Sequence, residues 1–371
     1  MKKRLALFSL VLTVFLFVGA GCVSLTGGES QSSGPAGIFV SSDSGNTWQV
    51  ASTLMTSEGL KSIAGVNVYR LFHDPQDSQA MYLGTRENGM FYTYNGGKSW
   101  QQSSGALAQG FVYSVAVHPQ DKCTIVATNG RQIFKSSDCN RTWSEVYRES
   151  RSNITINSLA YTSASPYKLF MAEINGDILQ TMDGGISWSV LKRFGKRLST
   201  IETDKFDNNV VYVTSREDGL YRSDNGGLSW SNLKNNMKNY SGSTKYRRFI
   251  MSESTPGKIY WISTYGILYS LDRGDTWTAL NLITPPGSAS IYGFAVNPQN
   301  ENEISYTATI SGRSTFYKSI DNGENWVTKK LPSGQIPVFM WVHPEQASLL
   351  YLGFTAPLET SGSSNSVYFG N

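Results

Sequence analysis

Carboxylates, histidines and cysteines are where chemistry would begin, and in this chain they are sparse and scattered. Glu87, Glu173, Glu217 and Asp218 fall in loops that follow short apolar runs. Glycoside hydrolysis needs two carboxyl groups flanking one bond, one as proton donor and the other as base or nucleophile. Nothing in the spacing pairs these four, and acids in such loops are ordinarily solvated, so no catalytic residue is assigned. His73, His118 and His343 each end an apolar run beside a Pro-containing turn, in three distant segments, and are read as one repeated turn position rather than metal ligands. With only these 3 histidines, a Ser–His–Asp or Cys–His relay has no base to use. The 3 cysteines exclude a four-cysteine zinc site and a disulfide-dense scaffold. Neither a metal nor a cofactor is expected.

Basic residues are more suggestive. Arg148 and Arg151, then Lys192, Arg193, Lys196 and Arg197, then Lys245, Tyr246, Arg247 and Arg248 form three successive clusters in the segments between repeated units. The formal charge of +4 falls to +1 without Lys2, Lys3 and Arg4, so bulk attraction to nucleic acid is not expected. The clusters are charge asymmetry on a nearly neutral chain. Guanidinium groups interleaved with aromatic rings suit carboxylate or phosphate recognition. These ten residues are therefore candidate ligand contacts, with an acidic protein segment or an anionic glycan as partner.

The elements that must position these residues come from a repeat. The pattern Ser/Thr-x-Asp-x-Gly-x-Ser/Thr-Trp recurs seven times, pairing Asp43 with Trp48, Asn95 with Trp100, Asp138 with Trp143, Asp183 with Trp188, Asn225 with Trp230, Asp272 with Trp277 and Asp321 with Trp326. The tryptophans recur about every 46 residues, a propeller-blade period. A short Asp side chain closes a tight turn on backbone N–H groups, Gly supplies positive φ, and Trp places an apolar body beneath the turn. Asn140 stands where the other copies have Gly, and Asn tolerates that conformation best after Gly. Between boxes, each unit carries two apolar runs around a short polar turn, such as Phe111–Val117 and Cys123–Thr128, which reads as a hairpin.

The box resembles the Asp-box, or bacterial neuraminidase repeat, of sialidases, sortilin-type receptors, xyloglucanases and photosystem II assembly factors. The resemblance covers residues 37–371 and implies an all-β, seven-bladed propeller of four-stranded antiparallel blades. It also implies that the boxes are structural, lying at the turn between the third and fourth strands, away from the ligand. The Arg-x-Pro motif of sialidases is absent from the sequence. The chain starts with an outer hairpin and ends with an inner one, so both termini are expected to close one blade, with Gly37–Ser41 and Ser366–Gly370 competing for one strand position. In a blade with this strand order, Cys123 and Cys139 fall at neighbouring turns on one face, close enough for a disulfide.

The N-terminal segment is an address. Lys2-Lys3-Arg4 precedes an apolar run from Leu5 to Val18, too short to span a bilayer but suited to a signal peptide. Gly19-Ala20-Gly21 before Cys22 resembles a lipobox, which implies lipidation of Cys22 and a flexible tether over 22–36. The sequence reading is thus an exported, monomeric propeller with 1–21 as leader, held by a lipid at the bacterial cell envelope, on the outer face of the cytoplasmic membrane or at the outer membrane. Its expected role is non-catalytic binding through the inter-blade loops. The alternative is a carbohydrate-binding protein or a divergent glycoside hydrolase.

Overall fold

The computed structural model describes residues 33–357. The leader, Cys22, most of the tether and the strand expected at Ser366–Gly370 lie outside them. Seven four-stranded antiparallel sheets form the blades of a propeller. Blades I to VII are numbered here by their innermost strands: Val68–His73, Ser114–His118, Ile156–Tyr161, Leu198–Thr203, Tyr246–Met251, Ser290–Val296 and Ile336–Val342.

The second strand of each blade is packed against neighbours on both faces. Met81–Thr85, Val211–Ser215 and Ile259–Ser263 are accordingly buried at every position and read as continuous runs rather than alternating ones. Side chains of adjacent blades interlock between the sheets, as where Tyr212 of blade IV meets Phe249 and Trp261 of blade V.

Blade VII is shared between the ends of the chain. Gly37–Ser41 pairs with Leu350–Thr355, in the register Gly37 to Phe354 and Ser41 to Leu350, and Gln49–Val50 is added outside it. Gly37–Ser41 thus holds the third position of that blade. A hairpin not foreseen from sequence, Thr53–Thr56 with Gly59–Ser62, follows and covers the outer edge of blade I. The Met55 N–H donates to the Trp100 carbonyl at 2.9 Å, and the Trp100 N–H donates to the Thr53 carbonyl at 2.7 Å. This cover explains why Trp100 is wholly buried.

All seven boxes close in the same way. In the fourth, the Thr181 hydroxyl donates to Asp183 Oδ1 at 2.6 Å, and the Ser187 backbone N–H donates to the same oxygen at 2.9 Å. The Gly185 N–H donates to Thr181 Oγ1 at 3.0 Å. These bonds hold the box carboxylates below the usual range, Asp138 at about 2. Acids so fully committed to a turn are structural. Asn140, at φ 68°, does more than replace a glycine, because its Oδ1 accepts from Trp143 Nε1 at 2.7 Å. The adjacent Cys139 is joined to Cys123 by a disulfide, which ties the box turn of blade II to its second strand.

The first turn of each blade has its own cap. Asp74, Asp204 and Asn297 accept backbone N–H bonds from two residues ahead, and His118 and His343 do the same through Nδ1, each at 3.2 Å. His73 departs from the expectation of one shared position. It lies one residue before Asp74, pairs with Met81, and faces the channel mouth.

Candidate functional site in the central channel

The innermost strands surround an elongated cavity of about 460 Å³. Its lining runs from Arg70, Ser114, Ser158 and Arg248 to the first turns at Pro75, Pro119, Phe206 and Pro298. In an antiparallel blade the first turn and the box turn project to the same side, so the cavity reaches the box face. That is the face opposite the basic loops.

Register explains which side chains meet there. The slot two residues before each cap holds Phe72, Ala116, Ala160, Glu202, Ile250, Ala295 and Trp341, and all of them line the cavity. A lone carboxyl thus sits in a ring of apolar side chains. Burial pushes Glu202 up to about 7, and the opposing pull of Arg70, Arg248 and the Thr200 hydroxyl offsets only part of that. Glu253 faces the same cavity. Burial raises it, but His73, with Nε2 at 3.9 Å, and Lys205, with Nζ at 2.8 Å, outweigh burial and hold it below the usual carboxylate range. Aromatic faces flank the pair, with His73 stacked on Trp341 at 5.6 Å and Phe206 half exposed beneath Lys205.

One carboxyl raised toward neutrality and one held low in the same cleft is the arrangement that acid–base catalysis uses. Sequence reasoning missed both. The signal was present in Glu202, a carboxylate at a repeat position that is otherwise apolar.

The basic residues are dispersed rather than gathered into one site. Arg148 pairs with Glu145 at 2.6 Å. Arg151 is enclosed by acids, at 2.7 Å from both Glu149 and Glu173 and 3.2 Å from Asp177, which Arg193 also approaches at 3.7 Å. Lys192 lies over the Phe194 ring, Tyr246 packs on Trp261, and Arg247 lies over Tyr292. Lys196, Arg197 and Lys245 are exposed on the inter-blade face. Of the ten, Arg248 alone lines the cavity. The four loop acids do not converge either. Glu87 and Glu217 are exposed, Asp218 is held by Lys234 at 2.7 Å, and Glu173 is buried beside Glu149. Among the described residues no cluster of His, Cys, Asp or Glu is placed to hold a metal ion.

The Glu149–Glu173 pair makes a testable case of linkage. Burial first, then Glu149, raise Glu173 to about 8, whereas Arg151 holds Glu149 at about 2. A carboxyl whose folded value is raised stabilises the fold at low pH, and that contribution is lost as pH climbs from about 4.5 through 8. Glu173→Gln is therefore expected to match the parent at pH 5 and to be more stable at pH 9, by roughly 1–4 kcal/mol. Urea unfolding at the two pH values checks this, and an equal difference at both would rule it out.

Comparison with known proteins agrees with this fold. The model of the family described as Sortilin, neurotensin receptor 3 matches residues 36–175. A probable oligoxyloglucan-reducing end-specific xyloglucanase from Neosartorya fischeri is 22% identical, over 86% of this chain and 39% of its own length. A xyloglucanase from a Paenibacillus species is 24% identical, over 72% of this chain and 28% of its own. The chain thus spans well under half the length of these curated relatives. Among solved structures, YCF48 from Cyanidioschyzon merolae superposes with a TM-score of 0.57 at 15% identity, covering 78% of this chain and 95% of that one. The relatives' names overturn the expectation of a non-catalytic binding scaffold and favour the carbohydrate-active alternative. The chain is a seven-bladed Asp-box β-propeller, similar to sortilin-type, YCF48 and xyloglucanase propellers.

Proposed function

We propose that this propeller is a glycoside hydrolase that works on oligosaccharides at the box-face mouth of its channel, with xyloglucan-type chains as the first substrates to test. The observation that carries the reading is the pairing, in one cavity, of a carboxyl raised to about 7 with a carboxylate held low. Glu202, protonated, would give its proton to the leaving glycosidic oxygen as the bond to the anomeric carbon breaks. Glu253, ionised, would take a proton from the water that attacks that carbon, or stabilise the positive charge developing there. Trp341 and Phe206 supply flat apolar faces for sugar rings beside the two acids. The names of the two curated relatives support the reaction class.

The reading also includes export and attachment. The apolar leader, Cys22 and the tether support an exported chain held by a lipid at the cell envelope, and the disulfide suits an oxidising compartment.

The test is incubation of the whole chain with xyloglucan and its oligosaccharides, reading new reducing ends. Release that depends on enzyme concentration supports the proposal, and none across a wide glycan panel overturns it. The pH profile adds a second check. Activity is expected to hold below neutrality and to fall as pH rises through about 7, because the acid form of Glu202 is lost. A profile still rising at pH 8 would exclude Glu202 as the acid.

A further inference from the structure

The inner end of the cavity carries more positive than negative charge, and nothing in hydrolysis of a neutral glycan calls for that. Arg70 and Arg248 occupy the same register slot in blades I and V, where the other blades have Ser114, Ser158, Thr200, Gly293 and Phe339. Both guanidinium groups line one lumen. Arg248 donates one N–H to the Val338 carbonyl of blade VII, and its Nε is buried with no acceptor. Arg70 lies over the Tyr69 ring at 5.5 Å and feels the Glu202 carboxyl, without an ion pair to any carboxylate among the described residues. Glu202 faces both arginines and forms an ion pair with neither.

Two guanidinium groups in a partly dehydrated lumen repel one another, and burial with Arg70 nearby lowers Arg248 to about 10. Such a pair is stable at low cost only if an anion completes it. A planar fork of N–H donors matches a carboxylate best. The cavity volume of about 460 Å³ is within the range of small-ligand sites.

We propose that the inner end of the cavity is an anion subsite in which Arg70 and Arg248 take the carboxylate of an acidic sugar, so that uronate-bearing oligosaccharides are the substrate class. This rests on the carbohydrate reading above and narrows it. The neutral wall of the lumen, from Ala116 and Ala160 to Trp341, would hold the sugar ring while the two arginines fix its charged end.

Calorimetric titration of the whole chain with four probes tests this: methyl β-glucuronide, methyl β-glucoside, glucose 6-sulfate and sodium acetate. The glucuronide is expected to bind at least tenfold more tightly than the glucoside, and Arg70→Gln or Arg248→Gln should remove that preference. At pH 8, where Glu202 is ionised, Glu202→Gln should tighten glucuronide binding by removing the competing carboxylate, a gain that misfolding cannot mimic. Equal affinity for glucuronide and glucoside would overturn the subsite and leave the carbohydrate reading standing. Acetate binding that needs both arginines, with no sugar bound, would uphold the subsite and overturn the carbohydrate reading. Tighter binding of the sulfate than of the glucuronide would replace the uronate by a sulfated sugar. No binding of any probe overturns the proposal.

Discussion

Replacing Glu202 by Gln is expected to lower the hydrolytic rate by about 10²–10⁴-fold, the usual contribution of a positioned general acid. KM should change little, because Gln keeps the shape and hydrogen-bonding reach of the side chain. The remaining activity should lose its fall above pH 7, since the group responsible no longer titrates. Glu217→Gln and Glu87→Gln, altered on exposed loops at the other end of the blades, should retain full activity. A Glu202→Gln chain as active as the parent would remove the acid from the proposal. Loss of activity in Glu217→Gln instead would move the site to the inter-blade face. Steady-state rates from pH 5 to pH 9 on all three variants decide between these outcomes.

The second large effect concerns closure of the ring. Phe39 is 3% exposed and meets Phe354 edge-on at 5.3 Å, while Ile38 beside it is fully buried. Phe39→Ala is expected to cost about 3–5 kcal/mol, the usual range for deleting a buried aromatic ring. The loss should appear as a fall in the global unfolding midpoint, because the circle is closed by the pairing of this strand with Leu350–Thr355. Deleting residues 33–50 should go further and abolish cooperative unfolding, leaving Leu350–Thr355 as an unpaired edge prone to association. Denaturant unfolding followed by tryptophan fluorescence measures both changes. A deletion variant that still unfolds in one sharp transition would show that blade VII is dispensable.

Much of the fold was legible because each repeat states its own turn chemistry. The Asp, Gly and Trp of the box need one backbone conformation, and the hairpin signals between boxes leave a four-stranded blade as the consistent assembly. Closure of one blade by both termini followed from which half-blade stands at each end, whereas the choice of Gly37–Ser41 over Ser366–Gly370 came only from the structure. The hairpin Thr53–Ser62 was not legible, since Gly59-Leu60-Lys61-Ser62 is exposed at every position and lacks strand patterning. The site was harder for a related reason. Reading loops for charge drew attention to Arg151 and Arg193, which the fold spends on Glu149, Glu173 and Asp177. The pairs with Glu173 and Asp177 join different strands and depend on inter-strand register, which local sequence does not encode. Glu202 differs, because stacking the repeats by their caps would have exposed it as the odd member of an apolar column.

The direction of the strand Gly37–Ser41 has a geometric consequence for a chain held by its N-terminus. Gly37 lies beside Phe354 at the inter-blade end of blade VII, and Ser41 leads directly into a box at the other end. The chain therefore enters the ring from the inter-blade side, while the cavity reaches the box side. A propeller attached through residues that precede Gly37 would have its channel mouth on the side opposite its point of attachment. Lys196, Arg197 and Lys245 share the side of attachment, and a long chain reaching the mouth would approach from the other side.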